Sequence, residues 1–276
     1  MRVFTYKSRI DGWEMQAYKW LSKTAEATVV ISHGLAEHAL RYERFALALN
    51  QQGFDVWAMD HRAHGATLGS AGFGDFGDGD WDALVDDIDQ LITIVRKEAS
   101  KPLIFFGHSM GAAAAQQFVQ QGSAKIDALV LSGSAARRPG AEIGPYNELF
   151  EPTRTEYDWL SRDEAEVDKY IEDPLCGFEG QTIRNGFDRT DQRRIEPQRV
   201  KMIRDDLPVL LVAGDADPVN NQLKALKYLM ELWSAGGVTQ IDQLFYEGGR
   251  HEMLNETNRE RVTTDIITWL NQIVVG

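Results

Sequence analysis

Short apolar runs along the chain alternate with longer stretches whose apolar residues recur at helical spacing. Six runs predict strands, at residues 28–32, 54–59, 103–106, 126–131, 207–212 and 241–246. The stretches with helical spacing lie between or after them, at residues 41–52, 81–99, 110–121, 223–233 and 259–273. Strands that alternate with helices predict a parallel sheet that is covered by helices on both faces.

The first twenty residues have a different pattern. Residues 3–9 and 13–20 form two strand-like runs, and the pair Asp11-Gly12 separates them. Such a pair between two runs predicts a β-hairpin. Together with the six later strands, this gives the expected fold class, an α/β fold with a mostly parallel eight-stranded sheet.

Residues 136–206 interrupt the alternation of strands and helices. This stretch is rich in Arg, Asp, Glu and Pro, lacks a clear strand, and has helical spacing only near residues 156–170. It is too long for a simple loop. We therefore divide the chain into a core, residues 1–135 and 207–276, and an inserted helical cap, residues 136–206. A cap over an active site is favoured over a decorative insertion, because ligands bind α/β sheets at the crevice beside the strand ends.

The charge balance excludes several classes of partner. The chain has 29 Lys and Arg residues against 42 Asp and Glu residues, a net charge of −13. Binding to nucleic acid or to anionic lipid needs a basic surface, so neither is expected. No apolar run is long enough to span a membrane. The single cysteine, Cys176, excludes an internal disulfide, and the first residues lack a secretory signal, so we expect a cytoplasmic protein.

The sequence Gly107-His108-Ser109-Met110-Gly111 lies between a predicted strand and an Ala-rich predicted helix. It matches G-x-S-x-G, in which a nucleophilic serine projects from a tight, strained turn. Side chains two residues before and after the serine would clash there, so both positions need glycine. The turn places Ser109 at a helix N-terminus, where the N–H of Met110 favours an oxyanion.

A serine nucleophile needs a base and an acid that orients the base. His251 is the only one of six histidines that follows Ser109, and it lies just after the last predicted strand. Asp215 and Asp217 both follow the strand at 207–212 and both qualify as the acid. Asp217 is preferred because it lies further beyond the strand end and Pro218 stiffens its turn. Asp215 then caps a turn.

The loop after the strand at 28–32 is expected to complete an oxyanion hole. Gly34 allows close approach of the backbone, and the N–H of Leu35 is the expected donor. His33 is predicted to hold the loop in shape. Glu37 and His38 could line the pocket or pair with each other. The candidate substrate-binding residues are therefore His33, Gly34, Glu37, His38 and His108.

A metal site is a competing interpretation. Its candidate ligands are Asp60, His61 and His64, together with His33 and His38. The histidines fall on two separate loops, the acids of a metallohydrolase show no spacing pattern, and Arg62 would repel a cation. No metal and no organic cofactor are expected.

Five segments together resemble the monoacylglycerol lipase and lysophospholipase-like branch of the α/β-hydrolases. They are HGLAEHALRY (33–42), DHRAHGAT (60–67), GHSMG (107–111), GDADPV (214–219) and GGRHEML (248–254). The resemblance covers nearly the whole core. It implies an α/β-hydrolase fold with a helical cap inserted after the sixth strand. It also implies a triad of Ser109, Asp217 and His251, with Leu35 and Met110 as oxyanion donors.

The expected function is cleavage of carboxylic esters through an acyl-enzyme, by a lysophospholipase, a monoacylglycerol lipase or a carboxylesterase. The partner is then a small-molecule ester or lipid, with at most transient membrane contact because the cap is heavily charged. Two alternatives stay open. The same triad could serve an aminopeptidase or amidase, or the chain could be an inactive binding scaffold, against which the intact triad argues.

Overall fold

A computed structural model of the protein describes residues 1–70, 72–136, 145–178 and 193–275. Within these residues, eight strands form one sheet in the order β1-β2-β4-β3-β5-β6-β7-β8. The strands are β1 (Arg2–Lys7), β2 (Glu14–Trp20), β3 (Ala27–Ser32), β4 (Phe54–Met59), β5 (Leu103–His108), β6 (Ala128–Ser132), β7 (Val209–Gly214) and β8 (Ile241–Tyr246). The predicted eight-stranded α/β fold is confirmed.

Only the first two strands depart from the parallel arrangement. β1 and β2 form the predicted hairpin, and β2 also runs antiparallel to β4. All remaining pairs, from β4–β3 to β7–β8, are parallel. Every residue of β3, β5, β6 and β7 is buried. Burial on both faces explains why these strands have continuous apolar sequences and no alternation.

Helices cover both faces of the sheet, as predicted. They are α1 (Glu43–Gln51), α2 (Asp80–Glu98), α3 (Met110–Gly122), α4 (Glu164–Glu172), α5 (Pro197–Val200), α6 (Lys224–Gly236) and α7 (Arg259–Val275). Residues of α2, α3 and α6 pack in one apolar cluster, and residues of α1 and α7 pack in a second cluster on the other face. None of the described helices is long and apolar enough to cross a membrane.

Helical pieces are predicted near residues 156–170, and the structure has two of them. Residues Asp158–Leu160 form a short 3-10 turn, and α4 starts at Glu164. The carboxylate of Asp163 accepts the N–H of Ala165 at 3.1 Å and so caps the helix. This capping bond fixes the start of the helix, which apolar spacing alone did not reveal.

The predicted insertion, residues 136–206, is described at residue 136 and at 145–178 and 193–206, while 137–144 and 179–192 lie outside the described residues. It separates β6 from β7, which are neighbours in the sheet. Its contacts with the core include a hydrogen bond from the N–H of Gly177 to the carbonyl of Ala36, at 3.0 Å. The insertion therefore reaches the loop that follows β3, at the edge where the parallel strands end.

Candidate active site

Ser109 lies on a strained turn between β5 and α3, with φ 52° and ψ −114°. The two flanking glycines are sterically required. A Cβ on Gly107 would lie 2.7 Å from the carbonyl oxygen of Gly111, and a Cβ on Gly111 would overlap the carbonyl oxygen of Ser32. The steric reason given for the G-x-S-x-G pattern is thus confirmed. As the first residue of α3, Met110 has no intrahelical acceptor for its N–H.

His251 and Asp217 meet at the same edge of the sheet. The Nδ1–H of His251 donates to Oδ2 of Asp217 at 3.1 Å, and both side chains are buried. Nε2 of His251 is buried and has no hydrogen-bond partner among the described residues. An imidazole whose Nδ1 proton is held in this way presents the lone pair of Nε2, as a general base requires.

The carboxylate of Asp217 is held on more sides than the sequence revealed. Its Oδ1 accepts the N–H of Val219 at 2.8 Å, and its Oδ2 also accepts the side-chain amide of Asn220 at 3.0 Å. Asn220 is fully buried and was missed by sequence reasoning. The signal that could have found it is its position three residues after Asp217, within the same turn.

Two opposing effects set the pKa of His251. Burial lowers the pKa of this imidazole, whereas the adjacent carboxylate of Asp217 raises it by charge and by hydrogen bonding. The carboxylate prevails, and the pKa of His251 is raised above its ordinary value. The pair is therefore suited to accept a proton from a neighbouring hydroxyl.

Asp215 lies outside this pair. Its Oδ1 accepts the N–H of Gly248 at 2.7 Å, so the turn that it caps is the one before His251. Close approach of two glycines fixes the same region, because a Cβ on Gly214 would overlap the carbonyl of Gly249. The structure thus brings Asp217, and not Asp215, to the imidazole.

The loop of residues 33–37, here called the oxyanion loop after the role predicted for it, is held in part by neutral histidines. Nε2 of His33 accepts the N–H of His61 at 2.9 Å, so its Nδ1 carries the proton that is donated to the carbonyl of Gly34 at 2.7 Å. Nε2 of His64 accepts the N–H of Ala36 at 3.2 Å. Burial lowers the pKa of both His33 and His64 to about 3.

The same loop carries a buried ionic cluster. Glu37 pairs with Arg41 at 2.7 Å, and Arg41 makes two further hydrogen bonds with Glu252, at 2.7 and 2.8 Å. Glu37 also accepts the hydroxyl of Tyr42 at 2.8 Å. Sequence reasoning missed Arg41 and Glu252, which lie 211 positions apart.

His38 contacts the insertion. Its Nε2 lies 2.9 Å from Oδ2 of Asp173, so the alternative in which His38 pairs with Glu37 is wrong. Cys176 adds a sulfur, and the three ligand atoms lie within 4.8 Å of one another. Because the imidazole and the carboxylate already bond to each other, this hydrogen bond accounts for the arrangement.

His251 lies between two aromatic rings. The ring of His108 is 4.9 Å away and the ring of Trp159, from the insertion, is 5.0 Å away. Burial lowers the pKa of His108 to about 4, so this residue is a neutral neighbour of the base. Its Nδ1 lies 3.4 Å from the hydroxyl of Ser132.

The residues considered as metal ligands have other partners. Asp60 accepts the backbone N–H groups of Ala39 and Ala66, at 2.9 and 2.8 Å. Nε2 of His61 lies 2.9 Å from the hydroxyl of Ser32. Together with the bonds of His33 and His64, these contacts indicate that the histidines brace the loops around Ser109.

The strand order and the strained serine turn define the class of α/β-hydrolases. A sequence model of the family described as "Serine aminopeptidase, S33" matches residues 23–258. This chain belongs to that family.

Similar proteins confirm the resemblance predicted from the five segments. Monoglyceride lipase from Rattus norvegicus is 30% identical over 277 residues, which cover 95% of this chain and 88% of that protein. Monoacylglycerol lipase from Mycolicibacterium smegmatis is 28% identical, covering 88% of this chain and 87% of that protein.

Solved structures with the same fold include a thermostable carboxyl esterase from Bacillus coagulans, with a TM-score of 0.90 and 25% identity, covering 99% of this chain and 98% of that chain. Another is a monoacylglycerol lipase from Paleococcus ferrophilus, with a TM-score of 0.72 and 25% identity. The match covers 95% of this chain and 98% of that chain.

Proposed function

We propose that this protein is a serine hydrolase of carboxylic esters, with Ser109 as nucleophile, His251 as base and Asp217 as the acid that orients the base. The lipase and esterase relatives support cleavage of esters. The observation that carries the site assignment is the buried His251–Asp217 pair, in which Nε2 has no partner among the described residues. Its imidazole lies 4.9 Å from the ring of His108, the residue before the strained turn of Ser109.

The reaction proceeds in two halves. Oγ of Ser109 attacks the ester carbonyl while Nε2 of His251 accepts the hydroxyl proton. The N–H groups of Leu35 and Met110 stabilise the tetrahedral oxyanion, each contributing about 3 kcal/mol. The bond to the alcohol breaks as His251 returns the proton to the alcohol oxygen. Water, deprotonated by His251, then attacks the acyl-enzyme, and the proton passes back to Ser109 as the acid leaves.

The substrate belongs to the monoacylglycerol, lysophospholipid or simple carboxylic-ester class. Two relatives that are monoacylglycerol lipases by name support a monoacylglycerol, and the carboxyl esterase from Bacillus coagulans supports a broader ester range. Residues 136–206 act as a cap over the site, which is supported by the contact of Trp159 with His251. A cytoplasmic location, suggested by the single cysteine Cys176, belongs to the same proposal.

Turnover of p-nitrophenyl esters tests the proposal directly. Ser109→Ala should lower kcat by about a million-fold, because loss of the nucleophile disables the whole triad. The variant should keep the circular dichroism spectrum and melting temperature of the parent. A fluorophosphonate probe should label the parent and leave Ser109→Ala unlabelled. Labelling or turnover that survives the substitution would refute the nucleophile assignment.

Substrate panels separate the remaining alternatives. Esters from C2 to C16, a monoacylglycerol and lysophosphatidylcholine would define the chain length and the head group. Amino-acid p-nitroanilides test the aminopeptidase alternative, and we expect ester turnover to exceed anilide turnover. A parent protein that reacts neither with esters nor with the fluorophosphonate would be an inactive scaffold.

A further inference from the structure

Glu37 is buried at the oxyanion loop with both carboxylate oxygens occupied. It is 3% exposed. Oε1 accepts the N–H of Gly34 at 2.5 Å and the hydroxyl of Tyr42, while Oε2 accepts the guanidinium of Arg41. Burial raises the pKa of Glu37, but Arg41 and these donors prevail and lower it, so the side chain is a carboxylate. Because both of its oxygens are bonded to neighbouring groups of the protein, Glu37 helps to hold the oxyanion loop in position.

The bond to Gly34 acts on the backbone beside the nucleophile. A Cβ on Gly34 would lie 2.7 Å from Oε1 of Glu37 and 3.2 Å from Cβ of Ser109. The bare backbone of Gly34 is therefore packed between the carboxylate and the serine. A side chain at this position would force the two apart.

The peptide between Gly34 and Leu35 is held by a bond to its own carbonyl and by a bond to the peptide before it. Its carbonyl, that of Gly34, accepts the Nδ1–H of His33 at 2.7 Å. In a planar trans peptide the N–H points opposite to the carbonyl, so this bond directs the N–H of Leu35 away from His33. The N–H of Leu35 has no acceptor among the described residues. Glu37 fixes the preceding peptide, and the two bonds together determine where this N–H points.

A second connection leads from Glu37 to the base. Arg41 bonds Glu37 and also makes two hydrogen bonds to Glu252, the residue that follows His251. The N–H of Glu252 donates to the carbonyl of Leu160, in the insertion, at 2.8 Å. One chain of buried charges therefore joins the oxyanion loop to the loop of the histidine.

We infer that Glu37 is a positioning residue, which acts through the N–H of Gly34 to aim the N–H of Leu35 at the oxyanion. Through Arg41 and Glu252 it keeps the oxyanion loop in place relative to His251. The inference rests on the proposed function. Buried ionic clusters add little net stability compared with apolar packing, whereas preorganised donors are a major source of rate enhancement. The effect of Glu37 is therefore expected in kcat.

Glu37→Gln is the test, because it keeps the size of the side chain and replaces one acceptor by an amide donor. Measured per titrated active site, kcat for p-nitrophenyl esters should fall about 30-fold while KM changes less than about threefold. Affinity for a boronic acid, which forms a tetrahedral adduct on serine, should fall by the same factor as kcat. A purely structural role would lower the number of titratable sites and the melting temperature but leave kcat per site unchanged.

Arg44→Gln is the matched control. Arg44 bonds the carbonyl of Leu254 and the side chain of Asn255, and it also pairs with Glu166 of the insertion at 2.9 Å. It therefore joins the same two segments as Arg41 without a contact to Glu37. Its kcat per site should stay within about twofold of the parent. An equal fall in both variants would overturn the inference.

Two further results keep the test decisive. If Glu37→Gln does not fold, Glu37→Asp carries the same expectation, because it keeps the charge for Arg41 but retreats from the N–H of Gly34. An active parent together with an unchanged kcat in the folded variant would overturn the inference alone. A parent without ester turnover and without fluorophosphonate labelling would overturn the proposed function and the inference together.

Discussion

The serine turn at the sheet edge and the inserted segment at 145–178 are held in place by different forces. At the sheet edge, the backbone leaves no room for alternatives, since a Cβ on Gly107 would lie 2.7 Å from a carbonyl oxygen. The insertion is joined to the core by charged side chains, including Arg162–Glu256 at 2.9 Å and Arg259–Asp163 at 2.5 Å. Close packing fixes the first region, whereas the second is joined to the core by ion pairs between distant residues and by a few backbone hydrogen bonds.

This difference has an energetic consequence. Steric constraints are insensitive to pH and salt, whereas ion pairs that are open to solvent are screened and contribute little free energy. Most of the pairs under the insertion are partly exposed. Among the ion pairs of the described residues that join the insertion to the core, the most buried carboxylate is that of Glu256, whose side chain is fully buried. We therefore expect changes at the sheet edge to abolish activity, and most changes under the insertion to alter stability slightly.

The largest difference in activity is expected between substitutions of the two aspartates at the sheet edge, Asp217 and Asp215. Asp217→Asn should lower kcat by about 10⁴-fold, because an amide no longer holds His251 in the tautomer that a base needs. Asp215→Asn, the matched control, keeps an acceptor for the N–H of Gly248 and should lose less than about tenfold. Steady-state kinetics on one p-nitrophenyl ester compares the two. The reverse order would exchange the roles of the two aspartates.

Glu256 should give the largest effect under the insertion. Its carboxylate accepts the N–H groups of Arg162 and Arg250, both at 3.0 Å, as well as the Arg162 guanidinium at 2.9 Å. In Glu256→Gln, one carboxylate oxygen is replaced by an amide NH₂ group, which cannot accept the hydrogen bonds that these N–H groups donate. Because Arg162 is one-third exposed, the expected loss in the free energy of unfolding is about 2 kcal/mol, less than for a fully buried pair.

Urea unfolding measures this loss, with Glu164→Gln as the control. Glu164 lies in the insertion and is 78% exposed, 3.9 Å from Arg154. Its replacement should leave the unfolding midpoint unchanged. Equal midpoints for the two variants would show that the buried carboxylate does not stabilise the junction.

Sequence reasoning performed best where local sterics decide the structure. The strands at 54–59 and 241–246 were predicted with the bounds that the structure has. The need for glycine at position 107 could be predicted because its constraint lies within five residues of sequence, where a Cβ would meet the carbonyl of Gly111. Such features need no knowledge of the distant chain.

Contacts between distant residues could not be predicted in this way. Arg41 and Glu252 are charged residues in polar stretches, and nothing in their neighbours indicates that they meet. Asn220 looks like an ordinary turn residue until the fold buries it against Asp217. The start of α4 at Glu164 depends on the capping bond of Asp163, which the apolar spacing does not show. Each of these features arises from tertiary contacts or side-chain capping, and the periodicity of apolar residues in the sequence does not reveal it.

The pH dependence of kcat/KM provides a subtler test of the sheet edge. His251 must be neutral to act as base, so activity should be lost as the pH falls through its pKa, which lies above the ordinary histidine value. In Asp217→Asn burial prevails, and the midpoint should move to lower pH. His108, with a pKa of about 4, stays neutral near neutral pH and should not contribute. A midpoint that does not move would show that the carboxylate does not set the pKa of the base.

The smallest effect is expected at the partly exposed ion pair between Arg259 and Asp163, whose side chains are 29% and 22% exposed. Arg259→Gln should cost about 0.5 kcal/mol of unfolding free energy at low salt, and high salt should remove most of the difference. The cap of α4 survives, because Asp163 still accepts the N–H of Ala165. Arg261→Gln, which breaks a pair within α7, is the matched control. A loss that high salt leaves unchanged would mean that packing, and not charge, holds this part of the insertion.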